Sequence, residues 1–188
     1  ARIWQLIESG ALDFSLSGIT NAERERFAGF DWYFANKYYL LVRRDAGVAE
    51  QAAFERQPAL RLGAIRSFRY SSRANALVDR LIADNRVTHA TGLDPLYQLL
   101  LANRIQGMII EPFDYPAITA TDIRALSDTL EFGDPPVPHG LIMSRVSVAP
   151  GEQQKWRDLI DAMRADGTIL RIFQKYFNPD MAQAMVNF

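Results

Sequence analysis

The 188-residue chain has no cysteine. That excludes disulfides, thiolate catalysis and cysteine-ligated metal together, and it leaves the compartment open. Histidine is nearly absent as well. His89 and His139 stand far apart with no companion motif, which reads as structural or surface histidine rather than a metal pair. No apolar run is long enough to cross a bilayer. The formal net charge is only −1, so there is no field to draw nucleic acid or an acidic lipid surface. Internal repeats and low-complexity segments are also missing. A hydrophobic content of 48% with 23% charged residues remains, which is the balance of a globular protein able to bury a core. The length suits one ordinary domain or two small lobes.

The stretch that organises the rest is Asp13–Phe34, DFSLSGITNAERERFAGFDWYF. A short alternating run suggests a strand over Leu12–Leu16. Ser15, Ser17, Gly18 and Thr20 follow, then Arg24 and Arg26, then an aromatic run. Hydroxyls and backbone amides just after a strand can hold carboxylate oxygens, and a guanidinium can grip the same group with two bonds. The plainer reading is a strand, a Ser/Gly turn and a solvated helix start.

Around it the pattern alternates. Residues 2–9 place Ile3, Leu6 and Ile7 on one helical face, with Gly10 as a stop. Residues 37–44, KYYLLVRR, read as a long strand. Residues 45–60 read as a loose surface connection. Short apolar strands are expected at 62–65, 87–90 and 106–110. Between them fall a helix with Leu77, Val78, Leu81 and Ile82 on one face, and a second helix capped by Asp94 with Pro95 at its first position. Three strands separated by two helices imply parallel βαβ units with right-handed crossovers. Thr121 is expected to cap a short helix carrying Ile123, Leu126 and Leu130. The proline-rich loop 132–140, FGDPPVPHG, can be neither helix nor strand interior by its prolines, and reads as a return linker. A strand over 141–144 and helices through Trp156–Met163 and Ile169–Tyr176 then follow, with a terminal helix from Asp180.

Open α/β sheets take ligands outside the carboxyl ends of their strands. Two further groups of candidates lie there. Arg66 and Ser67 follow the 62–65 strand and precede a helix, a place suited to an anion; the alternative is an ordinary helix cap with solvated arginines. Glu111 ends the third strand beside Pro112, where a carboxylate suits an ammonium ion; otherwise it is a solvated acid. Tyr70 and Tyr115 could line an aromatic wall or belong to the core.

The order of small residues, Thr20, Glu23-Arg24 and the aromatic Phe30-Asp31-Trp32-Tyr33, together with the ending DGTILRIFQKY at 166–176, resembles the extracytoplasmic solute-binding proteins of polar amino-acid ABC transporters. The resemblance spans nearly the whole chain. It implies an α/β, two-lobed periplasmic-binding-protein-like fold, with parallel-rich sheets flanked by helices. The first lobe would comprise residues 1–43 and 141–188 and lack its opening strand–helix–strand. The second would comprise 44–140, with the ligand held in a cleft between them.

By this resemblance Thr20 and Arg24 hold a ligand carboxylate, with Arg26 as the alternative because TNAER is one residue longer than the family's T-x-x-R. Ser15 and Ser17 belong to the same clamp. Arg66 and Ser67 stand at the family's Gly-Ser/Thr turn, although Ser67 replaces its glycine. Glu111 stands where an aspartate receives the ligand ammonium. The resemblance thus implies a non-enzyme without cofactor, located outside the cytoplasmic membrane. It would bind a small polar solute for a membrane ABC permease or a receptor, and no nucleic acid. Two other readings remain: a degenerate or partner-dependent module that has lost ordinary solute binding, and a small-molecule dehydratase on the same scaffold.

Overall fold

A computed structural model describes residues 2–119 and 121–188. In chain order the elements are α1 (Arg2–Ser9), β1 (Phe14–Ser15), β2 (Ala28–Asn36), β3 (Tyr39–Arg43), α2 (Gln51–Arg56), β4 (Leu62–Ile65), α3 (Ser72–Ala83), β5 (Val87–Ala90) and α4 (Leu93–Leu101). They continue with β6 (Gly107–Ile110), α5 (Tyr115–Thr119), α6 (Ile123–Leu126), β7 (Ser127–Glu131), β8 (Val137–Ser144), α7 (Pro150–Ala165), α8 (Thr168–Phe173) and α9 (Pro179–Val186). These fall into two compact units. Unit 1 holds the chain through Asn36 and again from Pro136 on, and unit 2 is Lys37–Pro135. The strand read at 37–44 thus lies wholly in unit 2, while 136–140 goes with unit 1.

Unit 1 is built on an antiparallel sheet in the order β1-β8-β2. Its middle strand is covered on both faces, and the two-residue side-chain period sorts its neighbours. Ile142 packs with Ile7, Ala28 and Trp4 of one cluster. Leu141 and Met143 point the other way, into Ile160, Phe14 and Trp156. Phe34 joins Ile169, Phe173, Ala182 and Met185 of α8 and α9 in a third cluster. Ser144, fully buried, donates to the Ile7 carbonyl at 2.7 Å and so ties α1 to the end of β8.

The nine-residue β2 is an element that the sequence left unassigned. Its aromatic residues are β-formers, but Asp31 and the paired rings mask a clean alternation. Its pairing with β8 shifts register between Trp32 and Phe34, opposite Gly140. A side chain at Gly140 would overlap the Asp31 carbonyl and stand 2.8 Å from Trp32 Cα, so only glycine lets the strands approach there. Contrary to the sequence expectation, β8 begins at Val137 and carries Pro138 within it, opposite Ala35. The short β1 pairs only with residues 142–143, so Pro138 sits where β8 has a strand on one side alone. That is the situation in which a missing amide is tolerated.

Unit 2 has a mixed sheet in the order β5-β4-β6-β3-β7. As expected, β4 runs parallel to both β5 and β6. β3 is antiparallel to β6 and to β7. Leu41, Leu96, Leu100, Ile105, Met108, Ile110 and Ile123 belong to one buried cluster in it.

Four local expectations fail here, for physical reasons; the first is that α6 has Asp122 rather than Thr121 at its N-cap, because the Thr121 hydroxyl donates back to the Ala117 and Ile118 carbonyls. The 45–60 connection contains α2, because Phe54 is fully buried and the Arg86 guanidinium donates to the carbonyls of Phe54, Glu55, Gln57 and Leu60 at 2.6–2.9 Å. α4 starts one residue before Asp94, with Gly92 at its N-cap. Leu130 lies in β7 rather than in a helix with Ile123 and Leu126, since pairing with Leu40 of β3 overrides the helical spacing.

Candidate functional site

In unit 1 the sequence-predicted clamp lies on the loop that follows β1. Ser15 is in β1 itself, half-buried and paired across to Ile142. The Ser17 hydroxyl lies 3.3 Å from His139 Nδ1. Thr20 donates to Glu25 Oε1 at 2.9 Å. Ser17 and Thr20 therefore each turn to a partner outside the predicted set. Arg24 opens a single 3-10 turn, Arg24–Arg26, after Asn21 Oδ1 accepts from its backbone amide at 2.9 Å. Its guanidinium lies over the Trp4 ring, 3.8 Å from the centroid, and Nη1 donates to the Ile19 carbonyl at 2.7 Å. A stacked, half-buried guanidinium is pre-organised: its plane is fixed by the indole before any ligand arrives.

Behind this loop sits His139, 5% exposed and stacked on Phe34 with centroids 5.1 Å apart. Burial pushes its pKa down to about 4, so the ring is neutral at ordinary pH. Asp31, on β2, is pushed the other way, to about 6, first by burial and then by the Asp161 carboxylate, against the opposing pull of Arg157 and Arg164.

In unit 2 the candidates gather at the carboxyl ends of two adjoining parallel strands. After β4, the Arg66 amide donates to the Ala90 carbonyl at 2.9 Å and the Phe68 amide to the Ile65 carbonyl at 3.2 Å, which closes a tight turn. Ser67, at the crest, has φ +60°, the left-handed region that favours glycine. Arg66, Ser67 and Phe68 are exposed. Tyr70 is buried. Its hydroxyl accepts from the Ile65 amide at 3.1 Å, and its ring lies 5.0 Å from Phe68 and 5.6 Å from Tyr38. The predicted helix start comes only at Ser72, so five residues separate Arg66 from it.

After β6, Glu111 forms a reciprocal capping box over the turn Pro112–Asp114. Its carboxylate accepts from the Asp114 amide, while Asp114 Oδ2 accepts from the Glu111 amide at 2.9 Å. Glu111 is thereby held at the strand end, half-buried, beside the exposed Phe113. Burial raises Asp114 to about 6, against the smaller lowering by the Glu111 amide. The tyrosines around the two carboxylates respond to them. Burial, then the Glu111 charge, raises Tyr38, and burial pushes Tyr70 up to about 12, with Asp114 and Glu111 adding to it. The two carboxylates and these rings suit a cation, while Arg66, exposed at the end of β4, carries the opposite charge.

Sequence reasoning missed Trp4, Phe68, Phe113, Asp114 and His139. The E-x-x-D spacing with proline between, Glu111–Asp114, was a readable cap signature; nothing local marks the others. Among the described residues no group of three or more His, Asp or Glu side chains is placed to hold a metal ion, and no helix is long and apolar enough to cross a membrane.

No protein-family model and no curated protein sequence matches the chain. Solved structures do. An ancestral arginine-binding protein bound to arginine superimposes with a TM-score of 0.73 at 16% identity, over 94% of this chain and 76% of that one. The arginine-, lysine-, histidine-binding protein ArtJ of Geobacillus stearothermophilus gives 0.73 at 14% identity, over 96% and 78%. A histidine kinase sensor domain with similarity to periplasmic binding proteins gives 0.73 at 13%, over 94% and 75%. The fold is therefore that of the periplasmic binding proteins, α/β with one antiparallel and one mixed sheet, flanked by helices. Its structural neighbours include amino-acid-binding proteins and a sensor domain.

Proposed function

We propose that the chain binds a small polar solute, an amino acid or related small organic ion, and delivers or senses it outside the cytoplasmic membrane without transforming it. The partner on this reading is a membrane ABC permease or a receptor. The observation that carries it is Glu111: a carboxylate fixed by a backbone amide at the carboxyl end of β6, flanked by Phe113 and by the aromatic turn after β4. A fixed acid beside aromatic faces suits an ammonium or guanidinium group. Unit 1 supplies the opposite sign in Arg24, already oriented on Trp4, with Ser15, Ser17 and Thr20 nearby in sequence. Each unit considered by itself carries chemistry for one charged group of an amino acid, and the likeness of fold to binders of arginine and histidine agrees with that chemistry. Arg66 and Ser67 belong to the same proposed set.

The test is a thermal-shift screen against the twenty amino acids, polyamines and small carboxylates, followed by calorimetry on any hit. A ligand that binds only the native state raises the melting point by mass action. One zwitterion should do so, and Arg24→Ala and Glu111→Ala should each abolish the shift.

A second reading, a degenerate or partner-dependent module, has its own support. Ser17, Thr20 and Arg24 all spend bonds on neighbours of the same unit. A screen in which no solute moves the melting point decides for it. Turnover of a bound solute would favour the dehydratase instead.

A further inference from the structure

Asp161 and Arg164 stand one helical turn apart on α7, a spacing at which opposite charges ordinarily meet. Here they do not. Arg164 Nη1 donates to the Trp32 carbonyl at 3.1 Å, and its guanidinium lies over the Phe188 ring, 4.6 Å from the centroid. Arg157, one turn before Asp161, donates instead to the side-chain oxygens of Gln153 and Gln154, at 3.3 and 3.4 Å. Among the described residues the Asp161 carboxylate therefore has neither a hydrogen bond nor an ion pair. Its charge acts on β2 unrelieved. Asp31 Oδ2 is buried without a hydrogen-bond partner, and the Asp161 charge adds to the burial that raises this carboxyl to about 6.

Asp161 and Arg164 both line a cavity of about 450 Å³, a size within the range of small-molecule sites. Ile169 and Leu170 of α8 and Val186 of α9 give it an apolar lining, and the Gln183 amide adds a donor and an acceptor. All of these residues belong to unit 1. The two-residue period of β2 separates the cavity from the Arg24–Trp4 stack. Phe30 packs with Trp4 and Ile7 on one face of the sheet, whereas a side chain at Gly29 would meet Gln153 and Arg157 of α7 on the other.

We propose that this cavity is a second small-molecule site, for an α-amino acid with an aliphatic side chain. Asp161 takes the ammonium, Arg164 the carboxylate, and Ile169, Leu170 and Val186 the hydrocarbon. Residues three apart on a helix have Cβ atoms about 5–6 Å apart, which suits charges carried on neighbouring atoms of one ligand. The Trp32 carbonyl and the Phe188 ring fix the plane of the Arg164 guanidinium beforehand, and the planar fork keeps further N–H groups to donate. The site uses neither Arg24 nor Glu111, so it does not rest on the solute clamp proposed above.

The test is an amide-resolved NMR titration of the full chain with L-leucine and with its single-charge relatives, isopentylamine and isocaproate. L-Leucine should shift the amides of 161–170 and 183–187 in a saturable way. Each relative should bind at least about tenfold more weakly, the worth of one charge-assisted hydrogen bond. Asp161 is exposed and has no partner to lose, so Asp161→Asn should weaken leucine binding by about the same factor without lowering the urea midpoint. Arg164→Lys, which keeps the charge but not the fixed plane, should weaken it as well. Arg24→Ala and Glu111→Ala should each leave these shifts in place, so that failure of the clamp and failure of this site are read separately. No saturable shift at 161–170, equal binding of the single-charge relatives, or full affinity in Asp161→Asn overturns the proposal.

Discussion

Glu111 and Asp114 hold one another at the end of β6: each side chain accepts the other's backbone amide, with Asp114 Oδ2 2.9 Å from the Glu111 nitrogen. Glu111 is half-buried, and the buried Asp114 carries the desolvation. Asp114 titrates at about 6 in the folded chain, above the ordinary carboxylate value, because burial disfavours its charge. The native state therefore takes up this proton before the unfolded state does. Asp114 makes stability rise as pH falls from about 6 toward 4, and weakens the fold at neutral pH. Asp114→Asn keeps an acceptor for the amide and removes the charge. It should be the more stable protein at pH 7.5, by up to about 3 kcal/mol, and lose that advantage by pH 4. Urea denaturation of both proteins across this range is the measurement, and an Asn variant that is weaker at pH 7.5 refutes it.

His139 works in the opposite sense. Its pKa is lowered to about 4 by burial, so between about 4 and 6.5 the unfolded chain binds the proton and the native chain does not. Stability is lost as pH falls through that window, by about 3 kcal/mol at its lower end. His139→Phe keeps the stacking on Phe34 and removes the titration. Its melting point should fall less than the parent's between pH 7 and pH 4.5, and equal slopes would show that another group controls acid unfolding.

Gly140 is required by the backbone of β2. Gly140→Ala should cost about 2–3 kcal/mol, the range for forced overpacking, because the obstacle is the Asp31–Trp32 main chain rather than a movable side chain. Chemical denaturation reads the loss. A neutral substitution would mean that the bulge between Trp32 and Phe34 slides to make room.

Arg24 separates stability from binding. Its stacking on Trp4 is part-exposed, so Arg24→Ala should lower stability by about 1 kcal/mol or less. Any solute-induced thermal shift should disappear entirely in the same variant. Trp4→Leu should weaken that shift without abolishing it, since the guanidinium remains but loses the face that orients it.

Much of unit 2 was legible in the residues. β4 begins and ends where its short apolar run does, because a parallel strand inside the sheet, buried on both faces, has no other pattern to show. What escaped depends on partners distant in sequence. α2 is anchored by Arg86, about thirty residues on. Leu130 keeps helical spacing with Ile123 and Leu126 and is drawn into β7 only by its place opposite Leu40. Pro138 argued against a strand until β8 was found to have a partner on just one side there. Of the site, Glu111 could be placed because a strand end is a local fact, whereas the Arg24–Trp4 stack brings together residues twenty positions apart with a strand between.

The central strand of unit 1 is the last to be made. β8 pairs with both β1 and β2, yet the whole of Lys37–Pro135 is translated before it. As the chain leaves the ribosome, β1 and β2 wait without the strand that joins them, while unit 2, contiguous in sequence, can collapse at once. Its prior collapse shortens the span that β8 must close, since the ends of a folded insert replace about a hundred free residues. The aromatic face of β2 waits in that interval for its partner strand, and the order of synthesis lets unit 2 fold before unit 1 is complete.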